Sequence, residues 1–384
     1  MTSHPVRLLL ADDSGVIRRL LTESLASDSE IKVVGAARHG GEALQLVMQL
    51  NPDVILLDVE MPVMDGVETV VEIRRRNLKT PIIMFSSITT RGGEATFDAL
   101  TSGANDYITK PGSLGHAADA LEYIRSELIP RVKLWGRRHQ FQNAAANHPA
   151  QAVYGAIQSG SRRLMTTAAA RPSNAVEDID STGIVAIGAS TGGPNALAAV
   201  LGSLPCDFPA PIVVVQHMPP VFTRLMADRL NAVCSLHVRE AIQGAVVEPG
   251  DVWIAPGNFH MTVKKHKGDR VLHLEQSEPE HSCRPAIDPL FRSVAATYGS
   301  RCLGVVLTGM GRDGESGSGA IRQAGGCILA QDQSSCVVWG MPRAVQQAGH
   351  ADQILPLSQI AAGITEVIRS GAVRTGAKKT PVTN

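Results

Sequence analysis

The stretch GIVAIGASTGGPN, Gly183 to Asn195, decides how the second half of the chain is built. Ile184 to Ile187 form a short apolar, β-branched run, the mark of a strand covered on both faces. Glycines follow at 188, 192 and 193, then Pro194 and the helix-like run ALAAVLGSL. Proline near the first helical turn is a start signal. The stretch predicts strand, tight turn and helix, with Ser190 on the turn. There its hydroxyl sits at the carboxyl edge of a sheet, beside the free N–H groups of a helix start.

Two chemistries use such a turn. GASTG fits the G-x-S-x-G elbow that carries a nucleophilic serine, and it also fits a Gly-rich phosphate loop after a first dinucleotide-binding strand. The second would place an acidic residue near the end of the next strand, against ribose hydroxyls. The next strand is PIVVVQHMPP, Pro211 to Pro220, and it ends in Gln216 and His217. A histidine there favours the hydrolase.

Working outward, 384 residues with 44% apolar composition suffice for two cores. Lys plus Arg equals Asp plus Glu at 36 each, so neither a nucleic-acid groove nor a polybasic membrane patch is expected. The apolar runs are too short for membrane insertion. MTSHPVRLLLADDSG runs straight into an acidic pair, unlike a secretory leader, and a cytoplasmic location is expected. The six cysteines (206, 234, 283, 302, 327, 336) contain no C-x-x-C pair, which favours free thiols over disulfides or zinc.

The first third alternates strands and helices. VRLLLADD ends in Asp12 and Asp13, DVILLD in Asp58, PIIMFSS in Ser86 and Ser87, and DYITKP carries Lys110. Helical patterns lie between them, at 16–25, 42–50, 67–75, 94–100 and 117–128. This spacing predicts a doubly wound parallel sheet, whose ligand groups gather beyond the strands' carboxyl ends. Asp12, Asp13, Asp58, Ser86 and Lys110 all fall there. Each alone would be an ordinary cap or loop residue. Together, three carboxylates need a cation, and an all-oxygen set favours Mg²⁺.

This segment resembles the response-regulator receiver domain, through Asp12 and Asp13, Asp58 followed by MPVMDG, Ser86, and Tyr107 spaced Y-x-x-K-P to Lys110. The resemblance implies a flavodoxin-like fold and an Asp58 that accepts phosphate from a chemotaxis histidine kinase. It implies Mg²⁺ held by Asp13, Asp58 and the Glu60 backbone carbonyl, with Asp12 contributing indirectly. It also makes Ser86 and Tyr107 the pair that rearranges on phosphorylation, beside Lys110.

The fifth helix is expected to end near Trp135. Residues 134–181, rich in Ala, Gln, Asn and Ser, read as a tether, with His139 and His148 as solvated bystanders. The expected division is 1–133, the tether 134–181, a catalytic domain 182–370 and a tail 371–384.

Past Ser190, the run LHVREA, 236–241, is a further strand candidate. Asp251 to Gln276, with its Pro-Gly-Asn and Lys-Gly-Asp turns, predicts antiparallel strands inserted in the sheet. CLGVVLTG, Cys302 to Gly309, is a buried strand opening into the glycine-rich MGRDGESGSG with Asp313. Ser190, His217 and Asp313 thus each follow a candidate parallel strand. A serine hydroxyl needs an imidazole to take its proton, and that imidazole needs a carboxylate to fix its tautomer. An N–H from the Met310 region would join an oxyanion hole. His350 is a rival base, since Ser190, Asp313, His350 is the chain order of α/β-hydrolases. Asp288 reads as a cap before Pro289, and Arg284 as a contact for a substrate carboxylate or a structural ion pair. His260, His266, His273 and His281 are spaced too irregularly to read as a metal site.

GASTGG, QHMPP, IAPG, HSCRPAID, LTGMGRDG and CVVWGMPRA resemble the chemotaxis protein-glutamate methylesterase family. The resemblance implies a Rossmann-like esterase domain behind the receiver, with Ser190 as nucleophile, His217 as base and Asp313 as its orienting partner. It places Met310 and Thr191 at the oxyanion and implies no cofactor for the ester chemistry. The implied substrates are γ-glutamyl methyl esters and glutamines of methyl-accepting chemotaxis receptors. Two other readings stay open at this level. One is a degenerate esterase acting as a phosphorylation-controlled adaptor, which methanol release would exclude; the other is a nucleotide-binding half, which NAD or ATP titration would test.

Overall fold

The computed structural model describes residues 4–110, 117–147 and 183–370. In the first part β1 (Val6–Ala11), α1 (Gly15–Leu25), β2 (Ile31–Ala37), α2 (Gly40–Leu50), β3 (Val54–Asp58), α3 (Gly66–Arg75), β4 (Ile82–Ser86), α4 (Thr90–Thr101) and β5 (Asp106–Thr109) alternate along the chain. The strands pair in parallel in the order β2-β1-β3-β4-β5, the flavodoxin-like order. Every residue of β3 and β4 is buried, which is why these strands read as unbroken apolar runs. β2 is an edge strand of mixed exposure, and its IKVVGAA pattern had not stood out in the sequence.

Next come α5 (Ala117–Tyr123), a π-helical turn (Ile124–Leu128) and α6 (Ile129–Asn147). The helix expected to stop near Trp135 therefore runs twelve residues further, to Asn147. Buried Ile129, Val132 and Trp135 seat its first half in the core, and polar pairs to other elements hold it besides. Trp135 Nε1 donates to the buried Asp106 at 3.1 Å, Arg137 meets Glu30 at 3.0 Å, and Gln140 donates to Asp53 at 2.7 Å. His139, expected to be solvated, is buried, and burial lowers its proton affinity. His148 and the remainder of the supposed tether, like the tail, lie outside the described residues.

The second part contains β6 (Ile184–Ala189), α7 (Gly193–Leu201), β7 (Ile212–Gln216), α8 (Phe222–Val233), β8 (His237–Glu240), β9 (Asp251–Ile254), β10 (His260–His266), β11 (Asp269–Glu275), α9 (Ile287–Tyr298), β12 (Cys302–Val306), α10 (Glu315–Gln323), β13 (Cys327–Gln331), α11 (Met341–Gln347), β14 (Gln353–Leu355) and α12 (Leu357–Ser370). Seven strands form a parallel sheet in the order β14-β13-β12-β6-β7-β9-β8. The antiparallel expectation for Asp251 to Gln276 holds for β10 and β11, which pair as a hairpin in a sheet of their own. It fails for DVWI: β9 lies in the main sheet, parallel to β7 and β8. Alternation marks the half-exposed hairpin, whereas β9 buries Val252, Trp253 and Ile254 on both faces. All six cysteines are free, two of them buried.

The two halves touch through α4 and α8. The fully buried Phe222 stacks on Tyr107 at 5.2 Å with the rings 9° apart, and Phe97 lies 6.3 Å from it. Arg229 pairs with Asp98 at 2.7 Å. A second contact comes from α6, where Arg138 donates to the carbonyls of Cys336 and Val337, each at 2.9 Å.

Candidate active site

β6 is buried at all six positions and delivers Ser190 to the centre of the second sheet. The turn after it is held from three sides. Ser190 N donates to Thr308 O at 3.0 Å, and its carbonyl accepts from Gly193 N at 2.7 Å and Gln216 Nε2 at 2.9 Å. Gly192 has φ +77°, and a Cβ there would stand 2.6 Å from Val337. Backbone conformation and packing both require glycine at that point.

β12, β6 and β7 are neighbours, so the loops leaving their carboxyl ends converge. His217 Nδ1 lies 3.2 Å from Ser190 Oγ, and its Nε2 lies 2.7 Å from Asp313 Oδ2. A proton on Nε2 is donated to the carboxylate, which leaves Nδ1 with a lone pair facing the serine hydroxyl. Asp313 is 1% exposed. It also accepts from Ile287 N at 2.7 Å and Asp288 N at 3.0 Å, the orphan donors that open α9, and from Gly314 N at 2.9 Å. Burial pushes the Asp313 carboxyl up, but His217 and the backbone donors overcome it and hold it below the usual range. For His217, burial opposes the charged form; Asp313 and the Cys283 thiol outweigh it and raise the imidazole above its ordinary value.

The rival His350 packs on α10, its Nε2 about where a side chain on Gly319 would reach; the imidazole bonded to Ser190 is that of His217. Arg284 is engaged by Asn258 Oδ1 at 2.7 Å and by the carbonyls of Ser277 and Gln276, so its guanidinium serves the loop. Asp288 does not cap its own helix: Ala286 is the N-cap residue of α9, and Asp288 Oδ1 accepts from Gly317 N in the first turn of α10. Thr191 is buried, its hydroxyl has no hydrogen-bond partner among the described residues, and its carbonyl accepts from Thr308. Met310 follows Gly309, where a Cβ would stand 2.8 Å from Ser190 Cβ.

In the first half, carboxylate oxygens of Asp12, Asp13 and Asp58 lie within 4.8 Å of one another. Lys110 Nζ stands 2.9 Å from Asp12 and 2.7 Å from Asp58. Burial pushes the Asp58 carboxyl up to about 6, against the pull of Lys110. Crowded carboxylates, two of them buried with one cation beside them among the described residues, fit a hard divalent ion. Glu60 offers its N–H to Asp58 Oδ1 at 3.3 Å. The Ser86 hydroxyl is turned away toward Gly92 O at 3.0 Å, while the Tyr107 ring rests on Phe222 of the other half. The residues expected to act as a switch pair thus have separate partners, Ser86 on Gly92 and Tyr107 on Phe222.

A model described as CheB methylesterase matches residues 185–364, and one described as response regulator receiver domain matches residues 8–122. A protein-glutamate methylesterase/protein-glutamine glutaminase of Trichodesmium erythraeum is 47% identical over 94% of this chain and 98% of its own. A protein of the same name from Nocardioides is 45% identical over 92% of this chain and 93% of its own. The chain belongs to this methylesterase/glutaminase family. The crystal structure of the Thermotoga maritima CheB methylesterase catalytic domain is 44% identical, with a TM-score of 0.48, over 49% of this chain and 99% of that one.

Within the methylesterase region, sequence reasoning missed two neighbours of the Ser190, His217 and Asp313 cluster. Gln216 bridges the Ser190 and His217 carbonyls, and its place directly before the histidine was the available signal. His281 donates Nε2–H to Asp288 at 2.9 Å, beside Asp313. Both residues stand in HSCRPAID, where only cap and spacing arguments had been applied.

Proposed function

We propose that the protein is a phosphorylation-controlled serine hydrolase that demethylates glutamate γ-methyl esters of chemotaxis receptors and deamidates their glutamines, with Ser190, His217 and Asp313 as its triad. The observation that carries the reading is His217 bonded on one edge to Ser190 Oγ and on the other to Asp313. In the reaction His217 Nδ1 takes the proton of Ser190, whose oxygen attacks the ester carbonyl. Asp313 holds the ring and balances the imidazolium charge. Backbone N–H groups at Thr191 and Met310 receive the oxyanion. The imidazolium then protonates the departing methoxide, releasing methanol, or the departing amine of a glutamine, releasing ammonia. Water repeats the sequence on the acyl-enzyme, leaving glutamate and free Ser190.

Control lies in the first half. Asp58 accepts a phosphoryl group from a chemotaxis histidine kinase, with Asp13, Asp58 and the Glu60 carbonyl holding Mg²⁺ and Asp12 supporting it indirectly. The ion would neutralise charge on the transferred group; the ester chemistry uses no cofactor. Phosphorylation draws Ser86 toward Asp58 and Tyr107 off Phe222, loosening α4 from α8. This assigns a receiver unit through α6, a catalytic unit from Gly183 and a cytoplasmic location. No helix among the described residues is long and apolar enough to cross a membrane. The test is methanol release from methylated receptor membranes with and without acetyl phosphate. Release that depends on Ser190 and rises with the phosphodonor is expected; none under either condition would leave the adaptor reading.

A further inference from the structure

Beside Asp313 lies a second carboxylate of equal burial. Asp288 and Asp313 are each 1% exposed, and Asp313 Oδ1 accepts the backbone N–H of Asp288. Asp313 is well supplied with donors, from Ile287, Asp288, Gly314 and His217. Asp288 has one backbone donor, Gly317 N at 2.6 Å, and among the described residues one side-chain donor, His281 Nε2 at 2.9 Å. The same Nε2 stands 3.9 Å from Asp313 Oδ1. His281 is held there from a loop where it and Ser282 have φ +53° and +61°. Two buried carboxylates in contact repel, and an unscreened one strengthens the grip of any nearby imidazole on its proton.

We propose that His281 is a positioning residue of the esterase site: its bond to Asp288 screens the second buried carboxylate and so weakens the charge that reaches His217. The inference rests on the triad reading given above. The groups facing this cluster are few. His217 meets Ser190, Asp313 and Cys283; Asp288 meets His281 and Asp313; Glu315, paired with Arg312 at 2.8 Å, acts on His281 from α10, with His350 behind it. Burial pushes the Asp288 carboxyl up, against Gly317 N and His281; without His281 the charge that remains on Asp288 reaches Asp313 and His217 unscreened. His217 then holds its proton to higher pH and works as a base only above it.

The experiment is the pH dependence of kcat/KM for methanol release by the full-length, acetyl-phosphate-activated protein. His281→Ala, at a side chain 42% exposed, is expected to move the acid limb up by about one pH unit. The loss is then about tenfold below the limb and disappears above it. Asp288→Asn alone is expected to move the limb down, and His281→Ala/Asp288→Asn to restore it near its original position. An equal loss at every pH in His281→Ala, an unmoved limb in Asp288→Asn, or a double variant that stays displaced each overturns the inference. If His281→Ala does not fold, the direction in Asp288→Asn decides alone. Ser190→Ala, run alongside, separates the two readings: activity surviving in that variant would remove the triad itself.

Discussion

Ser190, His217 and Asp313 meet because β6, β7 and β12 lie side by side, and the proposed roles of Ser190 and His217 predict a loss that His350 does not share. Ser190→Ala and His217→Ala are each expected to lower methanol release roughly 10⁴-fold or more, with thermal unfolding unchanged, while His350→Ala stays near the parent rate. Comparable loss in His350→Ala, with His217→Ala nearly neutral, would make the rival triad right. The raised imidazole adds a pH expectation. A base must be unprotonated to act, and Asp313 with Cys283 holds His217 above its ordinary 6.5. Activity should therefore keep climbing as pH rises past 6.5; a rate already level at that point would mean that His217 is not the titrating base. At this scale the sequence was informative where a residue follows a strand inside a motif, as GASTGG, QHMPP and GMGRDG do. It was silent on which ring nitrogen faces the serine, and on Asp288 reaching across to Gly317. Those contacts depend on how α9 and α10 pack, and no local pattern encodes that.

At the scale of elements, buried strands were the most legible because burial on both faces leaves an unbroken apolar run. Edge strands such as β2 and the three-residue β14 carry weaker signals. The misreading of α6 has a clear cause: Arg137, Arg138 and Gln140 stabilise it by reaching other elements, and an apolar-period argument does not count such bonds. The contact between α4 and α8 gives this scale its prediction. Gly93 on α4 faces Leu225, and a Cβ there would stand 2.5 Å from Leu225 Cδ1. Gly93→Gln favours the helix itself by up to about 1 kcal/mol and touches no catalytic side chain, yet it wedges α4 off α8. If that contact restrains the esterase, the unphosphorylated variant should release methanol severalfold faster than the parent, and acetyl phosphate should add little. An unchanged basal rate would mean that α4 does not restrain the site.

For the molecule as a whole, the proposed division of labour puts the chemistry in one half and in the other a charge cluster that acts through the seam between them. The stacked pair Tyr107 and Phe222 is one of several contacts in that seam, beside Arg229 on Asp98 and Arg138 on the Cys336 and Val337 carbonyls. A stacked aromatic pair such as Tyr107 and Phe222 contributes about 0.5–1.5 kcal/mol beyond its burial, and about 1.4 kcal/mol changes an equilibrium tenfold. In the proposed control, a phosphoryl group on Asp58 that disfavours that stacking by a comparable amount shifts the balance between docked and loosened halves about tenfold. Two treatments then separate the halves. Chelating Mg²⁺ should abolish the response to acetyl phosphate and leave the basal rate intact, because the proposed ester chemistry routes no step through an ion. Asp58→Asn should reproduce that result with Mg²⁺ present, since the carboxylate proposed to accept the phosphoryl group is gone while the crowding beside Lys110 is relieved. The measurement is methanol release under four conditions, with and without ion and with and without phosphodonor. A basal rate that collapsed on chelation would place a metal in the ester chemistry. A full response in Asp58→Asn would put the phosphoryl acceptor at another residue.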